Sequence, residues 1–322
     1  MKIAVVGLGA VGTVYGCLLK KSGHEVWGVE LPEEAAEIKE LGFSVTGLWG
    51  RKRAQPDVVT DDLAALRGQG FDLVIAAVKA PVLESVLEGI AAALGATGKV
   101  LLLQDGYGNY EAAAAVISPD RIVNGVQSVE MKLLEVGDSK VVSQGEPLRI
   151  GSVEGKMSPA ELEALAAMLN DAGIETTAVT DITAWIWANI IINASLATIS
   201  AVVQSSYGKL LQENESKVIV DNSIKEIFDL LDKLGLKTIW PDAAACQEDL
   251  VAERIGLRSM RMSPMLEDLR RGRPAEMDWF NGAVCRLALE NGMLALTNEM
   301  IRTMFGHKEK LGVAAVPSEG DN

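Results

Sequence analysis

The chain has 322 residues, of which 48% are hydrophobic and 23% charged, and its formal net charge is −14. These proportions are those of a globular protein with room for two domains. The acidic balance argues against nucleic acid and against an anionic membrane surface as partners, because both bind to basic faces.

Histidine and cysteine are scarce in this sequence. His24 and His307 are the only histidines, which argues against a His-based catalytic triad or a multi-histidine metal site. Cys17, Cys246 and Cys285 are far apart and lack metal-ligand spacing. Because the sequence also opens on a strand-like run rather than a signal peptide, we expect a cytoplasmic protein with reduced thiols and no metal.

The first half of the sequence predicts an α/β fold. Short apolar runs at residues 3–6, 25–29, 73–78 and 100–103 alternate with helical patterns, the first of which covers 11–22. Strands that alternate with helices indicate a doubly wound parallel sheet, as in a Rossmann domain.

The next segment completes this domain. Residues 122–150 predict antiparallel strands at the sheet edge, and 174–179 predict a last strand. Between them, 158–172 predict an amphipathic helix with Ser158 as N-cap, Pro159 at its first position and a glycine after its end.

From about residue 180 the pattern is helical. We therefore predict a dinucleotide-binding domain over 1–180, an all-helical substrate and catalytic domain over 181–305, and a frayed tail over 306–322. The uncharged stretch 185–203 is long enough to resemble a membrane span. It contains several polar side chains and lacks basic flanks, so we interpret it as a buried helix.

A glycine-rich loop follows the first predicted strand and opens the first helix. It has the spacing G-x-G-x-x-G and consists of Gly7, Leu8, Gly9, Ala10, Val11 and Gly12. In this context Gly7 makes the tight turn, Gly9 admits a pyrophosphate and Gly12 lets helix and strand pack closely. The helix N-terminus would offer its N–H groups to the phosphates. The alternative is a turn with incidental glycines.

Glu30 ends the second predicted strand, eighteen positions after Gly12. A carboxylate at this point can accept hydrogen bonds from both ribose hydroxyls and would repel a 2′-phosphate. No arginine follows it in residues 31–34. We therefore predict NAD rather than NADP as cofactor; the alternative is a solvated glutamate at the start of a loop.

Two charged residues follow neighbouring predicted strands. Lys79 comes after 73–78, and Asp105 comes after 100–103. Ligands of open α/β sheets bind outside the carboxyl ends of the strands, so both side chains are expected to flank the nicotinamide. The alternatives are a solvated lysine and a turn or helix-capping aspartate.

The uncharged helix carries a polar stripe. On an ideal helix with 100° per residue, five positions fall within an arc of about 60°: Asn189, Asn193, Ala197, Ser200 and Gln204. Buried amides must form hydrogen bonds. The stripe therefore either lines a wet substrate cleft, which we favour, or forms a hydrogen-bonded network in the core.

A third candidate segment covers residues 263–282. A Gly-Arg-Pro turn at 272–274 predicts a helix that begins at Pro274, with Glu276 and Asp278 in its first turn. The helix dipole favours carboxylates at such positions, which is a sufficient structural explanation for Asp278.

Taken together, these segments resemble the ketopantoate reductase family. The resemblance covers residues 1 to about 305 and rests on the glycine loop, on Val-Lys-Ala at 78–80, on 104–108, on 187–193 and most specifically on 263–282. It implies a Rossmann domain followed by a helical domain. The activity it implies is reduction of a 2-keto acid to a 2-hydroxy acid by hydride transfer.

The sequence departs from the family pattern at several functional positions. The family's catalytic lysine, two residues after Trp187, is replaced by Asn189, which can neither donate a proton as a general acid nor neutralise an alkoxide. The family's asparagine before Gly-x-Gly is Asp105, and a second helix asparagine is Ala197. The arginine that binds NADP is missing after the second strand.

These matches and departures give the site expectations. We expect catalytic roles among Asp105, Lys79, Glu276 and Asn189, and substrate binding by Asn193, Ser263 and Ser200. The expected cofactor contacts are the glycine loop, Glu30, Lys79 and Glu276. Asn193, Ser263 and Glu276 match residues of the family pattern. Because the lysine is replaced, we expect Asp105, Lys79 or Glu276 to take over its role in proton transfer.

The predicted function is an NAD-dependent oxidoreductase that transfers a hydride between the nicotinamide and a small alcohol or hydroxy acid, with ketopantoate disfavoured as substrate. The alternatives are an amine dehydrogenase or imine reductase, with Asp105 facing a cationic nitrogen, and a non-catalytic NAD-binding sensor. The expected partner is a small molecule, and a homodimer is left open.

Overall fold

A computed structural model of the chain describes residues 1–143, 145–250, 260 and 262–311. The chain forms two compact units, Met1–Ile182 and Thr183–Asn322. The division lies close to residue 180, where the sequence pattern changes.

The first unit contains twelve strands and five α-helices in its described part. In chain order these are β1 (Lys2–Val6), α1 (Ala10–Lys21), β2 (Glu25–Val29), α2 (Pro32–Leu41), β3 (Phe43–Gly47), β4 (Lys52–Ala54), β5 (Val58–Thr60), β6 (Phe71–Ala76), α3 (Ala80–Ala93), β7 (Leu94–Leu102), α4 (Asn109–Ala114), β8 (Ile122–Val126), β9 (Met131–Glu135), β10 (Asp138–Val141), β11 (Leu148–Gly151), α5 (Pro159–Asp171) and β12 (Thr176–Ala178).

Eight strands form the main sheet in the order β12-β11-β8-β7-β6-β1-β2-β5. The pairs from β8 to β5 are parallel, whereas β11 is antiparallel to β8. Both faces of β1 are buried: Ile3 and Val5 on one, Ala4 and Val6 on the other. The continuous apolar run at 3–6 reflects this two-sided burial, and the predicted Rossmann architecture is confirmed.

A second sheet, absent from the sequence prediction, has the order β4-β3-β10-β9. Of the strands within 122–150, only β11 pairs antiparallel in the main sheet, next to the edge strand β12. The prediction is wrong for β8, which is parallel to β7, and for β9 and β10, which belong to this second sheet. α1 is buried throughout residues 12–19, in one core with β1, β3 and β10. Phe43 packs so closely that a Cβ on Gly16 would lie 2.8 Å from its ring.

The second unit is helical in its described residues. Its helices are α6 (Ile182–Ile192, whose first residue belongs to the first unit), a π-helical turn (Asn193–Ala197), α7 (Thr198–Val203), α8 (Tyr207–Gln212), α9 (Asn214–Leu234), α10 (Ala243–Asp249), α11 (Pro264–Arg270), α12 (Asn281–Glu290) and α13 (Leu296–Leu311). The helix expected to end near 305 thus continues to Leu311, and residues 312–322 of the predicted tail lie outside the described residues.

Among the residues that the structure describes, one helical stretch is long and apolar enough to cross a membrane, namely Ile182–Val203. Its most apolar window is 72% buried inside the protein. This burial accounts for the absence of charge, as expected of a core helix.

The predicted helix start at Pro274 is wrong. Residues Met277–Trp279 form a short 3-10 turn, and α12 begins only at Asn281. Glu276 immediately precedes the 3-10 turn and lies outside α12. A proline at the first position of a helix is a preference that tertiary contacts can override.

Candidate functional site

Two of the three loop glycines are required by the fold itself. Gly7 has φ +91°, and a Cβ there would lie 2.8 Å from the backbone nitrogen of Val78. At Gly12 a Cβ would lie 1.9 Å from the carbonyl oxygen of Gly7. A side chain at either position would therefore collide with backbone, as the close packing of helix and strand demands.

Gly9 is different, because nothing in the fold requires a glycine there. Its φ is −64°, and a Cβ on it would meet no atom within 4 Å. It immediately precedes α1, whose first turn contains no acidic side chain. The first N–H groups of a helix have no intrahelical partner and attract anions. The open space over Gly9 is thus suited to a phosphate.

The Glu30 carboxylate lies against the glycine loop. Its Oε2 accepts a hydrogen bond from the backbone N–H of Leu8 at 2.5 Å, and its Oε1 accepts one from Leu31 at 3.0 Å. Glu30 remains partly exposed, and each carboxylate oxygen has a further lone pair. The carboxylate is thus held against the loop, and its contact with a ribose stays a prediction.

Leu8, Ala10 and Val11, the remaining residues of the glycine loop, differ in how much of each is exposed to solvent. Leu8 is 2% exposed, and its side chain packs on Gly28, where a Cβ would lie 2.6 Å from Leu8 Cδ1. Only the backbone of Leu8 is therefore available to a cofactor. Ala10 and Val11 are partly exposed.

Lys79 and Asp105 lie at the same edge of the main sheet. They follow β6 and β7, which are parallel neighbours with Ala76 opposite Leu102. Lys79 is exposed at the N-cap position of α3, and Asp105 is partly exposed in the loop before α4. Their placement on one edge agrees with the sequence prediction, while their catalytic roles stay predictions.

Gln104 connects the two loops that carry these charges, and the sequence pattern gave it no predicted role. Its Nε2 donates to the carbonyl oxygens of Ala76 at 2.9 Å and Val78 at 2.7 Å. Asn109 Nδ2 in turn donates to the Asp105 carbonyl at 2.9 Å. The signal available in the sequence was an amide between a buried strand and a Gly-x-Gly turn, where backbone carbonyls need donors.

In the second unit, Asn189 and Asn193 form an amide pair. Asn193 Nδ2 donates to both the carbonyl oxygen and Oδ1 of Asn189, each at 3.0 Å. Both residues are partly exposed. Position 189, where the sequence analysis expects the lysine of the resembled family, therefore carries a neutral side chain whose oxygen already accepts a hydrogen bond.

The predicted polar stripe does not continue past Asn193. Because residues 193–197 form a π turn, which contains an extra residue, the following residues rotate away from the ideal helical wheel. Ala197 and Ser200 are buried, at 1% and 0% exposure. Gln204 follows the last residue of α7 and has a left-handed backbone, with φ 55°, so it no longer continues the helix. The stripe is therefore wrong as a single surface.

Ser200 and Ser263 contact each other inside the helical unit. Ser200 Oγ donates to the Ser205 carbonyl at 2.6 Å and accepts from the Ser263 backbone N–H at 3.3 Å. Ser263 Oγ accepts from Met265 N as the N-cap of α11. Both hydroxyls thus have structural hydrogen bonds, and their substrate-binding roles stay predictions.

The turn that precedes Glu276 is closed by an ion pair. Arg273 Nε donates to Asp268 Oδ1 at 3.0 Å, and Asp268 is 6% exposed. Glu276 itself is partly exposed. Among the described residues, no group of three or more His, Cys, Asp and Glu is arranged to hold a metal ion.

Comparison with known families gives two matches that together span most of the chain. Residues 3–155 match the family described as ketopantoate reductase PanE/ApbA, and residues 181–309 match its C-terminal domain. The 2-dehydropantoate 2-reductase of Aquifex aeolicus is 28% identical over 311 residues, covering 96% of this chain and 97% of that protein.

Solved structures show the same fold. A PanE/ApbA family ketopantoate reductase from Ralstonia eutropha JMP134 has a TM-score of 0.86 and 24% identity, with 97% of this chain and 99% of that one covered. A D-mandelate dehydrogenase in complex with NADH and anilino(oxo)acetate has a TM-score of 0.85 and 22% identity, with the same coverage. The chain therefore belongs to the ketopantoate reductase family of NAD(P)-dependent oxidoreductases.

Proposed function

We propose that this family member uses NAD in preference to NADP and transfers a hydride between the nicotinamide and a small alcohol or hydroxy acid other than pantoate. The observation that carries the cofactor proposal is the contact between Glu30 Oε2 and Leu8 N at the glycine loop. A 2′-phosphate beside this carboxylate would be repelled, whereas a 2′-hydroxyl could donate to it.

The cofactor proposal assigns separate parts of the first unit to separate parts of NAD. The space over Gly9 and the N–H groups at the start of α1 would hold the pyrophosphate. Glu30 would accept hydrogen bonds from the ribose. When bound, the nicotinamide of NAD would accept the hydride in the oxidation and donate it in the reduction. The protein residues bind it, orient it and handle the proton.

The substrate proposal rests on the missing lysine. Reduction of a carbonyl needs a proton donor, and oxidation of an alcohol needs a base. Asn189 has no proton to exchange near neutral pH. We assign this role to Asp105, with Lys79 and Glu276 as the other candidates, and assign substrate contacts to Asn193. The replaced lysine, not this charge, argues against ketopantoate: a carboxylate at position 105 would repel any substrate carboxylate placed beside it, so a hydroxy acid would have to bind with its carboxylate away from Asp105.

A second candidate activity follows from the same residue. The Asp105 carboxylate would attract a cationic amine or iminium, so oxidation of a small amine is the alternative reaction. The alcohol is supported by the name of the structurally similar D-mandelate dehydrogenase, since mandelate is a hydroxy acid. Alcohol oxidation and amine oxidation differ in the substrate that reduces NAD, so a single assay of NAD reduction with both kinds of substrate separates them.

The test is a screen for NAD reduction with hydroxy acids, aryl alcohols and amines, run on the parent protein and on Asp105→Asn. We expect turnover of an alcohol or hydroxy acid and weak or no activity with ketopantoate and NADH. Asp105→Asn should lower kcat about 100-fold, with NADH binding largely unchanged.

Asp171→Asn is the control, since Asp171 is an exposed aspartate at the end of α5. Robust ketopantoate turnover by the parent would contradict the substrate proposal. A kcat of Asp105→Asn within about twofold of the parent would move the proton-transfer role to Lys79 or Glu276. NADH binding without turnover of any substrate would favour a sensor.

We also propose a cytoplasmic protein that uses neither nucleic acid nor a membrane as partner, in line with its acidic charge. A homodimer is supported by one face of α13, where Leu296, Met300 and Met304 are 67%, 52% and 48% exposed. Their four-residue spacing forms a single apolar stripe that the same stripe of a second copy could cover. A monomer mass by sedimentation equilibrium would contradict the dimer.

A further inference from the structure

The π turn at Asn193–Ala197 is stabilised by side chains that donate to backbone carbonyls in the turn and just before it. A π turn interrupts the regular hydrogen bonding of an α-helix, so nearby carbonyls need other donors. Ser195 Oγ donates to the Ile191 carbonyl at 2.6 Å, and Thr198 Oγ1 donates to the Asn193 carbonyl at 3.1 Å. Asn281 Nδ2 donates to the Ala194 carbonyl at 3.1 Å.

Asn281 differs from the other two donors because it comes from another element. Ser195 and Thr198 belong to the helix that they support, whereas Asn281 is the first residue of α12 and lies 87 residues after Ala194. Its side chain is completely buried. The shape of this turn therefore depends on a contact that the helix cannot supply.

A buried network fixes which way the Asn281 amide points. Glu226 is an acceptor, and its Oε2 accepts from Asn298 Nδ2 at 2.9 Å. Asn298 consequently presents Oδ1 on its other side, where it accepts from Asn281 Nδ2 and from Ser223 Oγ, each at 3.0 Å. Asn281 must then present its amino group, which also reaches the Ala194 carbonyl.

We propose that Asn281 is a positioning residue that holds the π turn and, through it, sets the direction of the Asn189–Asn193 amide pair. Asn193 is the first residue of the turn, and the carbonyl that Asn281 binds belongs to the next residue. Conversion of the π turn to an α turn would rotate the segments on its two sides by about 100° relative to each other. The inference rests on the proposed substrate role of Asn193.

The test compares Asn281→Ala with Ser223→Ala in the full chain. Both substitutions remove a donor to Asn298 Oδ1 at a fully buried position, but only the first removes the contact with the π turn. With the substrate found by the NAD-reduction screen, we expect Asn281→Ala to lower kcat/KM at least tenfold and leave the Kd of NADH within twofold. Ser223→Ala should leave both within twofold.

Combination with Asn193→Ala separates positioning from general damage. If Asn281 acts through Asn193, the double variant Asn193→Ala/Asn281→Ala should lose no more kcat/KM than Asn193→Ala alone, within about twofold. Losses that multiply would overturn the proposal. Should Asn281→Ala not fold, Asn281→Ser retains a hydroxyl donor, and the same non-additivity is expected with a smaller single loss.

A crystal structure of the Asn281 variant gives a readout that is independent of activity. We expect the π turn at 193–197 to be lost or shifted, and an unchanged turn would overturn the inference alone. Parental kcat/KM in Asn193→Ala would instead overturn the substrate role of Asn193, and with it the basis of the inference. The two failures are thus distinguishable.

Discussion

The glycine loop of the first unit and the π turn of the second differ in what determines their shape. Gly12 faces the carbonyl oxygen of Gly7 in the same loop, Gly7 faces the backbone of Val78 just past the neighbouring strand β6, and Glu30 reaches Leu8 from the end of β2. The π turn depends on Asn281, which lies 87 residues later in the chain. The contacts around the loop require glycine at a fixed spacing, which can be identified in the sequence, whereas no sequence pattern near the π turn points to Asn281.

The largest effect is expected at the glycine that the fold does not require. Gly9→Val should weaken NADH binding by at least about 100-fold, because the side chain would fill the space that the pyrophosphate needs. The unit should stay folded, since a Cβ there meets no protein atom within 4 Å. Fluorescence titration with NADH measures the loss.

Gly306→Val provides the matched control. Gly306 in α13 also has an ordinary φ, and a Cβ added there would likewise meet no atom within 4 Å, but it is far from the loop in sequence. NADH affinity should not change in this variant. Unchanged affinity in Gly9→Val would show that the loop does not hold the phosphates and would remove the distinction between Gly9 and its two neighbours.

Local patterns predicted the features that leave a mark along the sequence. The parallel sheet, the glycine loop and the cap of α5 follow from apolar runs, glycine spacing and a Ser-x-x-Glu pattern at Ser158 and Glu161. The second sheet was missed because β4 has only three residues and because β3 pairs with β10, with Ser44 opposite Asp138. No local pattern encodes that pairing.

The helical side of the candidate site shows the same limit. An ideal wheel placed Ser200 beside Asn193, but the π turn rotates the helix after residue 193 and buries Ser200 against Ser263. The prediction of Asn189 and Asn193 as neighbours holds because Asn189 lies in α6 and Asn193 is only the first residue of the turn, so the four-residue spacing between them is still helical. Catalytic roles on this side therefore need direct tests.

The smallest expected effect concerns the stability of the first unit at the N-terminus of α5, where Lys99 adds an ion pair to the local capping box. Glu161 belongs to the capping box of α5, and its Oε1 lies 2.9 Å from Lys99 Nζ. The hydrogen bond from Lys99, followed by those from Ser158, lowers the pKa of Glu161 from 4.5 to about 2. The stabilisation is therefore present above pH 4.5 and is lost as the pH falls towards 2.

Glu161→Gln should lower the urea midpoint slightly at pH 7, and the difference from the parent should shrink as the pH falls through this window. Screening by solvent keeps the effect small, because Glu161 is exposed. Glu163→Gln on the same helix is the control and should show no such trend. A difference that is independent of pH would mean that the charge of Glu161 contributes nothing.

The most direct test of the account is calorimetric titration of the parent protein and of Glu30→Gln with NADH and NADPH. The contact of Glu30 with the glycine loop predicts that the parent binds NADH about 10- to 100-fold more tightly than NADPH, since one repelled or unpaired charge at the binding site is worth about 1–3 kcal/mol. Glu30→Gln should bring the two affinities closer together. Equal affinities in the parent, unchanged by the substitution, would contradict the proposal that this carboxylate selects NAD.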